Sequence, residues 1–401
     1  MVLGLAALLE MTSVESLAQR FAGKFALQPR IYGAPGRVNL IGEHTDYNDG
    51  FVMPAAIGFF CWVAIAPRPD GKIVLQSEQF DTSAELSLDT PTAEIKPAHC
   101  WSDYPIGVVV QLRDAGFPVG GANMLFRGDV PMGAGLSSSA AIEVATALAV
   151  ADSSDHPIDR LEVARLCQKA ENQFVGTQSG IMDQFISLLG QRDHALLIDC
   201  RSLQFDRLPI PESVRLVICD TGVKHEHAGG EYNRRRAECE EAVRSLKAAL
   251  PGIRALRDVT EQQLQQHRGL LSDITYKRAL HVVTENARTL QSADALRAGE
   301  LVRFGKLMAE SHRSLRDLYE VSSPELDLMV ELANRQPGVY GARMTGGGFG
   351  GATINLVEAG HAEAGAENIG AAYERATKIV PKTYVCMPSA GAARVDATET
   401  P

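Results

Sequence analysis

Three stretches concentrate side chains that can do chemistry. The first runs Gly36-Arg37-Val38-Asn39-Leu40-Ile41-Gly42-Glu43-His44-Thr45-Asp46-Tyr47-Asn48-Asp49-Gly50. One arginine, three carboxylates and one imidazole stand there among glycines and asparagines. Such residues usually lie in a solvated loop. Val38, Leu40 and Ile41, however, would anchor this one to a core, so that Glu43, His44 and Asp46 are held on a rigid frame. Carboxylates beside an imidazole suit a hydroxyl-rich ligand, because they accept and donate in a fixed pattern.

The second stretch, Pro131 to Leu148, changes character halfway. Gly133, Ala134, Gly135 and Leu136 give a permissive backbone that lets a ligand approach closely. Ser137, Ser138 and Ser139 supply hydroxyls and N-cap candidates. From Ala140 the residues favour a helix, with Ile142, Thr146 and Ala149 along one face. A glycine-rich loop entering a helix N-terminus is an anion site. No Gly-x4-Gly-Lys-[Ser/Thr] occurs, so this is not a Walker A loop, and it lacks the dinucleotide Gly-x-Gly-x-x-Gly pattern. A serine hydroxyl there suits Mg2+, a hard cation. The third stretch is Gly346 to Gly351, five of six residues glycine, which only close backbone approach requires. Asp183 stands alone in an apolar segment, and a buried acid needs a partner or a shifted pKa.

The elements that position these residues read as follows. Val14 to Phe25 has helical spacing. Arg30 to Ala34, Phe59 to Ile65, Ile73 to Ser77 and Met124 to Phe126 read as strands, with Pro54 and Gly58 interrupting the apolar run from Phe51. Ile106 to Asp114, Ile158 to Phe174 and Ile181 to Leu189 read as helices. Ala195 to Asp199 and Val214 to Cys219 are further strands. Polar Arg201 to Glu212, with two prolines, reads as the domain boundary. Tyr232 opens a charged helix, followed by helices over 260–267, 276–292 and 298–318. By residue type Trp101 reads as core. Ser77 is placed in a loop that borders a ligand.

The chain has 401 residues, enough for two domains. Its net charge of -10 argues against nucleic acid and anionic membrane partners. Seven cysteines without a Cys-x-x-Cys point to reduced thiols, hence a cytoplasmic protein. Met1 to Leu9 lacks the basic region and cleavage site of a signal peptide; it reads as a short helix or a start-site extension, since Met11 offers a second start. His225-Glu226-His227 has no third metal ligand at a recognisable spacing.

Together, 36–50, 131–141 and 341–352 resemble the three motifs of the GHMP small-molecule kinases. The first resembles the galactokinase signature in particular. Asn172-Gln173-Phe174, Gly180-Ile181-Met182-Asp183-Gln184 and Glu231-Tyr232-Asn233 with Arg235-Arg236 are similar to that branch too. The resemblance implies an α+β fold of two domains. The N-terminal one, residues 12–205, is ribosomal-S5-like; the C-terminal one, 206–395, is ferredoxin-like. It implies ATP-dependent phosphorylation of the galactose C1 hydroxyl with Mg2+, the opening step of galactose catabolism, by a monomer. By motif, Asp183 is the catalytic carboxylate and Arg37 its charged partner. Glu43, His44, Thr45, Asp46, Gly180 and Tyr232 hold the sugar. Gly133 to Ser139 cradle the phosphates, Ser139 and Glu171 meet Mg2+, and Ser77 and Trp101 lie near the nucleotide. Two positions depart from the pattern: Ser179 and Ala352 replace the usual cysteines. The alternatives are a related kinase for N-acetylgalactosamine, arabinose, homoserine or mevalonate, or a non-catalytic galactose sensor. The intact loop, Arg37 and Asp183 favour an enzyme.

Overall fold

The computed structural model describes residues 3–154, 156, 158–224 and 228–395. Helix α1 (Leu3–Phe25) leads into β1 (Arg30–Asn39), and a two-residue β2 (Phe51–Val52) precedes the long β3 (Pro54–Arg68). Gly58 does not end β3, but it lies where the register against β1 shifts, Pro35 facing Phe60 and Arg37 facing Ala56. β4 (Lys72–Ser77), β5 (Thr82–Ser87), α2 (Asp103–Asp114) and β6 (Gly121–Gly128) follow. Then come α3 (Ser138–Ser153), α4 (Arg160–Ala170), α5 (Met182–Leu189), β7 (His194–Asp199) and β8 (Phe205–Pro209). The helix expected over 158–174 breaks at Glu171, where a π-helical turn, Glu171–Val175, takes over. Such turns re-aim a side chain, often at a functional site.

One sheet of this first unit has the order β13-β1-β3-β6-β4-β5. Side chains alternate along β3. Phe60, Trp62 and Ala64 pack with Leu17 and Phe21 of α1. Val63 and Ile65 face the helical layer, among Val108 of α2, Val144 of α3, Ala164 of α4 and Phe185 of α5. A smaller sheet has the order β2-β7-β8.

That pairing moves the domain boundary. β8 is hydrogen-bonded to β7 along its length, from His194↔Pro209 to Ile198↔Phe205. The predicted break at 205/206 therefore falls at the start of a strand of the first unit; the chain crosses over at 210–213. Residues 206–209 looked like a linker because an edge strand keeps polar side chains.

The second unit begins with β9 (Val214–Lys224) and five helices: α6 (Ala228–Leu246), α7 (Glu261–Gln266), α8 (Asp273–Arg297), α9 (Leu301–Ser314) and α10 (Pro324–Asn334). β10 (Val339–Thr345), β11 (Gly350–Glu358), α11 (Ala362–Thr377) and β12 (Lys382–Cys386) complete an antiparallel sheet ordered β10-β11-β9-β12. This is the split βαβ arrangement of a ferredoxin-like fold, with several helices in its first crossover. The chain then returns: β13 (Ala393–Val395) pairs with Ile31, Tyr32 and Gly33 of β1.

Val38, Leu40 and Ile41 are fully buried in a cluster that includes Leu216 and Ile218 of β9 and Phe304 of α9. The segment rich in functional side chains is thus fixed at the junction of the two units. No helix among the described residues is long and apolar enough to cross a membrane.

Candidate active site

At that junction Arg37 and Asp183 meet. Arg37 leaves the bulged part of β1 and Asp183 the first turn of α5. The guanidinium Nε donates to Asp183 Oδ1 and Nη2 to Oδ2, both at 2.8 Å. The third arm, Nη1, donates to Gly135 O at 2.5 Å. Arg37 is 5% exposed. Burial works against its charge, but Asp183 and Glu43 keep it protonated. A forked pair of this kind fixes both side chains.

Around the pair lies a cavity of about 170 Å³. Arg37, Glu43, His44, Asp46, Gly180, Asp183 and Tyr232 line it, together with Glu171, Thr177, Ser179, Met182, Gly346 and Gly347. Of the expected sugar contacts only Thr45 is missing. It is fully buried, and its Oγ1 lies 2.8 Å from Gly42 O and 2.7 Å from Phe51 O. Its hydroxyl closes the loop from inside, so Thr45 shapes the site without facing it.

His44 is a neutral imidazole held by two bonds. Nε2 donates to Gly347 O at 3.2 Å, so Nδ1 accepts from the Tyr47 hydroxyl at 2.7 Å. Tyr319 in turn lies 2.8 Å from Tyr47 Oη. Burial, then His281, pushes the His44 pKa down to about 3. Glu43 Oε1 accepts from the Gly346 N–H at 2.7 Å, tying the first stretch to the third. At Gly180 a Cβ would overlap the Asp46 carboxyl, so only glycine fits there.

Asp46 carries a testable burden. Burial, then neighbouring Asp183, pushes its pKa up to about 7. A free aspartate titrates near 3.9, so between about pH 4 and 7 the folded chain holds a proton that the unfolded chain has lost. The stability tied to that proton is complete below about pH 4 and gone above 7. Asp46→Asn removes the ionisation. It should raise the unapposed protein's stability at pH 8 by on the order of 1 kcal/mol or more, and leave it nearly unchanged at pH 4. The galactose KM should meanwhile rise about tenfold. Thermal melts at the two pH values check this; an equal shift at both would rule the reading out.

The glycine-serine loop sits beside this cavity. Ser137 is the residue before α3, with φ +59°, yet its side chain makes no capping bond. Its hydroxyl instead donates to Asp183 Oδ2. The first turn of α3 thus has no side-chain cap from Ser137, an arrangement that can receive an anion. Gly133 and Gly135 take φ of +75° and +74°, the region open to glycine. Ala134 and Leu136 are buried, and Leu136 O accepts from the Arg37 N–H at 3.0 Å. Ser138 and Ser139 border a second cavity of about 150 Å³, with Gln79, Phe80, Trp101, Tyr104 and Met132. Trp101 stacks on Phe80, ring centroids 6.2 Å apart at 13°. It lines the cavity with one side and packs against the core with the other, edge-on to buried Phe126 at 5.4 Å. Ser77 is the last residue of β4, not a loop residue, and does not line the cavity; its Oγ accepts from the N–H groups of Gln79 and Phe80. Gln79 and Phe80, which the sequence did not single out, are the residues it presents.

Glu171 faces the first cavity from its π turn. Ser179 Oγ donates to Glu171 Oε2 at 2.5 Å, and Gln184 Nε2 at 2.9 Å. Gln184 also donates to Glu143 Oε2 at 3.0 Å, under the phosphate loop. Burial raises the Glu171 pKa, and Ser179, Gln184 and Ser139 beside it work against that rise. Ala352, the other departure, is fully buried in β11 and lines neither cavity. His225, Glu226 and His227 lie outside the described residues.

Comparison with known proteins agrees with this geometry. The galactokinase galactose-binding signature matches residues 19–67. The GHMP kinase N-terminal domain matches 103–191, and the GHMP kinase C-terminal domain matches 292–375. A galactokinase of Roseiflexus sp. (strain RS-1) is 48% identical over 96% of this chain and 98% of its own. The chain belongs to the galactokinase family. The galactokinase of Chloroflexus aggregans is 47% identical over 97% of this chain and 99% of its own. Lactococcus lactis galactokinase, solved in complex with galactose, superposes with a TM-score of 0.91 at 36% identity, covering 96% of this chain and all of that one. Mevalonate kinase of Methanococcus jannaschii, at 20% identity and TM-score 0.63, shares the fold. Like its galactokinase relatives, the protein is an ATP-dependent sugar kinase with the two-domain α+β architecture of GHMP kinases.

Proposed function

We propose that the protein transfers the γ-phosphoryl group of ATP to the C1 hydroxyl of α-D-galactose, giving galactose 1-phosphate and ADP. The forked Arg37–Asp183 pair carries the reading, because it stands where the polar cavity meets the phosphate loop. Phosphoryl transfer needs positioning and charge neutralisation more than covalent help. Glu43, His44, Asp46 and Tyr232 would hold the sugar hydroxyls. Asp183 would orient the C1 hydroxyl and take its proton as the new O–P bond forms. Arg37 would neutralise charge on the transferred group. The N-terminus of α3 and residues 133–139 would hold the phosphates, and the Phe80–Trp101 wall would take the base.

Ser139 and Glu171 fit Mg2+. Both offer hard oxygens, and Glu143 Oε1 beside them is buried without a partner. An ion there would be held by these two protein oxygens and the phosphates. When bound, Mg2+ supplies charge neutralisation at the β- and γ-phosphates. Glu171→Gln should raise the Mg2+ concentration for half-maximal rate by about tenfold, with partial recovery at high Mg2+. An unchanged Mg2+ dependence would make Glu171 a structural residue.

All seven cysteines are unpaired, which suits a cytoplasmic protein. The resemblance implies a monomer, and the mass in solution tests that. The deciding experiment couples ADP release to a panel of galactose, N-acetylgalactosamine, arabinose, homoserine and mevalonate. Galactose should be preferred, and ATP turnover with none of them would favour the sensor.

A further inference from the structure

We propose that one face of α8, through His281, Glu285 and Asn286, positions the loop 42–51 that carries Glu43, His44 and Asp46. The proposal rests on the reading of that loop as part of the sugar site. None of the three side chains lines either cavity, so they act through the loop and not on the substrate.

Three bonds run from this face to three main-chain groups of the loop. Glu285 Oε1 accepts from the Gly42 N–H at 3.0 Å. Asn286 Oδ1 accepts from the Phe51 N–H at 2.9 Å. His281 Nε2 donates to Glu43 O at 3.1 Å. The spacing 281, 285, 286 puts them on one side of a helix. Gly42 and Gly50 let the loop press against that side. Gly42 has φ +95°, and at Gly50 a Cβ would overlap Asn286 Oδ1.

The supports are themselves held. Glu285 is fully buried, with Ser311 Oγ donating to Oε1 at 2.5 Å and Arg288 Nε to Oε2 at 2.8 Å. Burial opposes its charge, yet Arg288, His281 and Arg343 hold its pKa down to about 2. His281, also fully buried, accepts at Nδ1 from Ser314 at 2.8 Å. A buried charge is costly to keep. Here it grips a loop of the other unit, on the side away from the cavity. Position and charge of the sugar contacts are thereby set from the C-terminal half of the chain.

Three variants test this, with galactose and ATP varied separately, galactose binding measured by calorimetry, and folding by circular dichroism. Glu285→Gln keeps the acceptor for Gly42 and should leave the galactose KM within about threefold of the parent. Glu285→Leu removes it and should raise the galactose KM and Kd about tenfold, with the ATP KM within about twofold. Asn286→Ala should move the galactose constants the same way and carries the test if Glu285→Leu does not fold. Unchanged galactose constants in Asn286→Ala and in folded Glu285→Leu, or galactose and ATP KM rising together, would overturn the proposal. A parent enzyme that uses another sugar and not galactose would overturn the galactose reading instead. The same split, measured with that sugar, would then decide the role of α8.

Discussion

Asp183→Asn should fold, bind galactose, and turn over at least about a hundredfold more slowly than the parent. The substitution keeps shape and removes charge. It also changes three bonds, because Asp183 accepts from Arg37 Nε, Arg37 Nη2 and the Ser137 hydroxyl. An amide offers one acceptor where the carboxylate offers two oxygens, so the buried guanidinium loses part of its pairing. Some stability should go with it, on the order of 1–3 kcal/mol. The sugar contacts proposed at Glu43, His44 and Tyr232 are untouched, so calorimetric galactose affinity should change far less than kcat. A folded variant with near-parental turnover would remove Asp183 from the chemistry.

The second large effect concerns the third glycine-rich stretch. Gly346 has φ +85°, and a Cβ there would sit 2.8 Å from Gly135 O, the carbonyl that also receives Arg37. Gly348, at φ +82°, would press on the Val321 carbonyl. Gly347 has no such conflict: its nearest neighbour would be the Tyr232 ring at 3.3 Å. Gly346, and not Gly347, is therefore the position whose substitution tests the contact between the two loops. Gly346→Val should lower kcat/KM for ATP about a hundredfold or destabilise the fold by roughly 2–4 kcal/mol, since it strains one loop and displaces the other. Gly347→Ala should cost under about threefold, with the tyrosine ring yielding. Equal effects of the two substitutions would mean that the stretch serves flexibility, not proximity.

Arg37 and Asp183 are 146 residues apart, and no local pattern says that they touch. Their motifs identified each, and the family resemblance joined them. The glycine-serine turn into α3 was legible in physical terms, because glycine, serine and helix formers follow in that order. Thr45 was not: its hydroxyl looks inward, and sequence does not report rotamers. The α8 face was hidden for a related reason. The sequence marked 276–292 as a helix but not which face is covered, and His281, Glu285 and Asn286 are all buried although their types are polar. Their partners are main-chain groups, which leave no signature in a sequence. β8 was missed because an exposed edge strand and a polar linker have similar compositions.

The return of the chain to β1 has a bearing on how the molecule is made. β1 pairs with β3 on one side and with Ala393, Arg394 and Val395 on the other. On the ribosome, residues 30–39 emerge early, while their second partner, Ala393–Val395, is the last strand among the described residues. Throughout that interval one edge of the nascent sheet offers unsatisfied N–H and C=O groups, the template that strand-to-strand aggregation uses. A chain released before residue 393 keeps that edge open for good. Termination after Gly347 but before Ala393 therefore yields a fragment with both cavities encoded in full and a standing hazard of self-association, a natural client for chaperones.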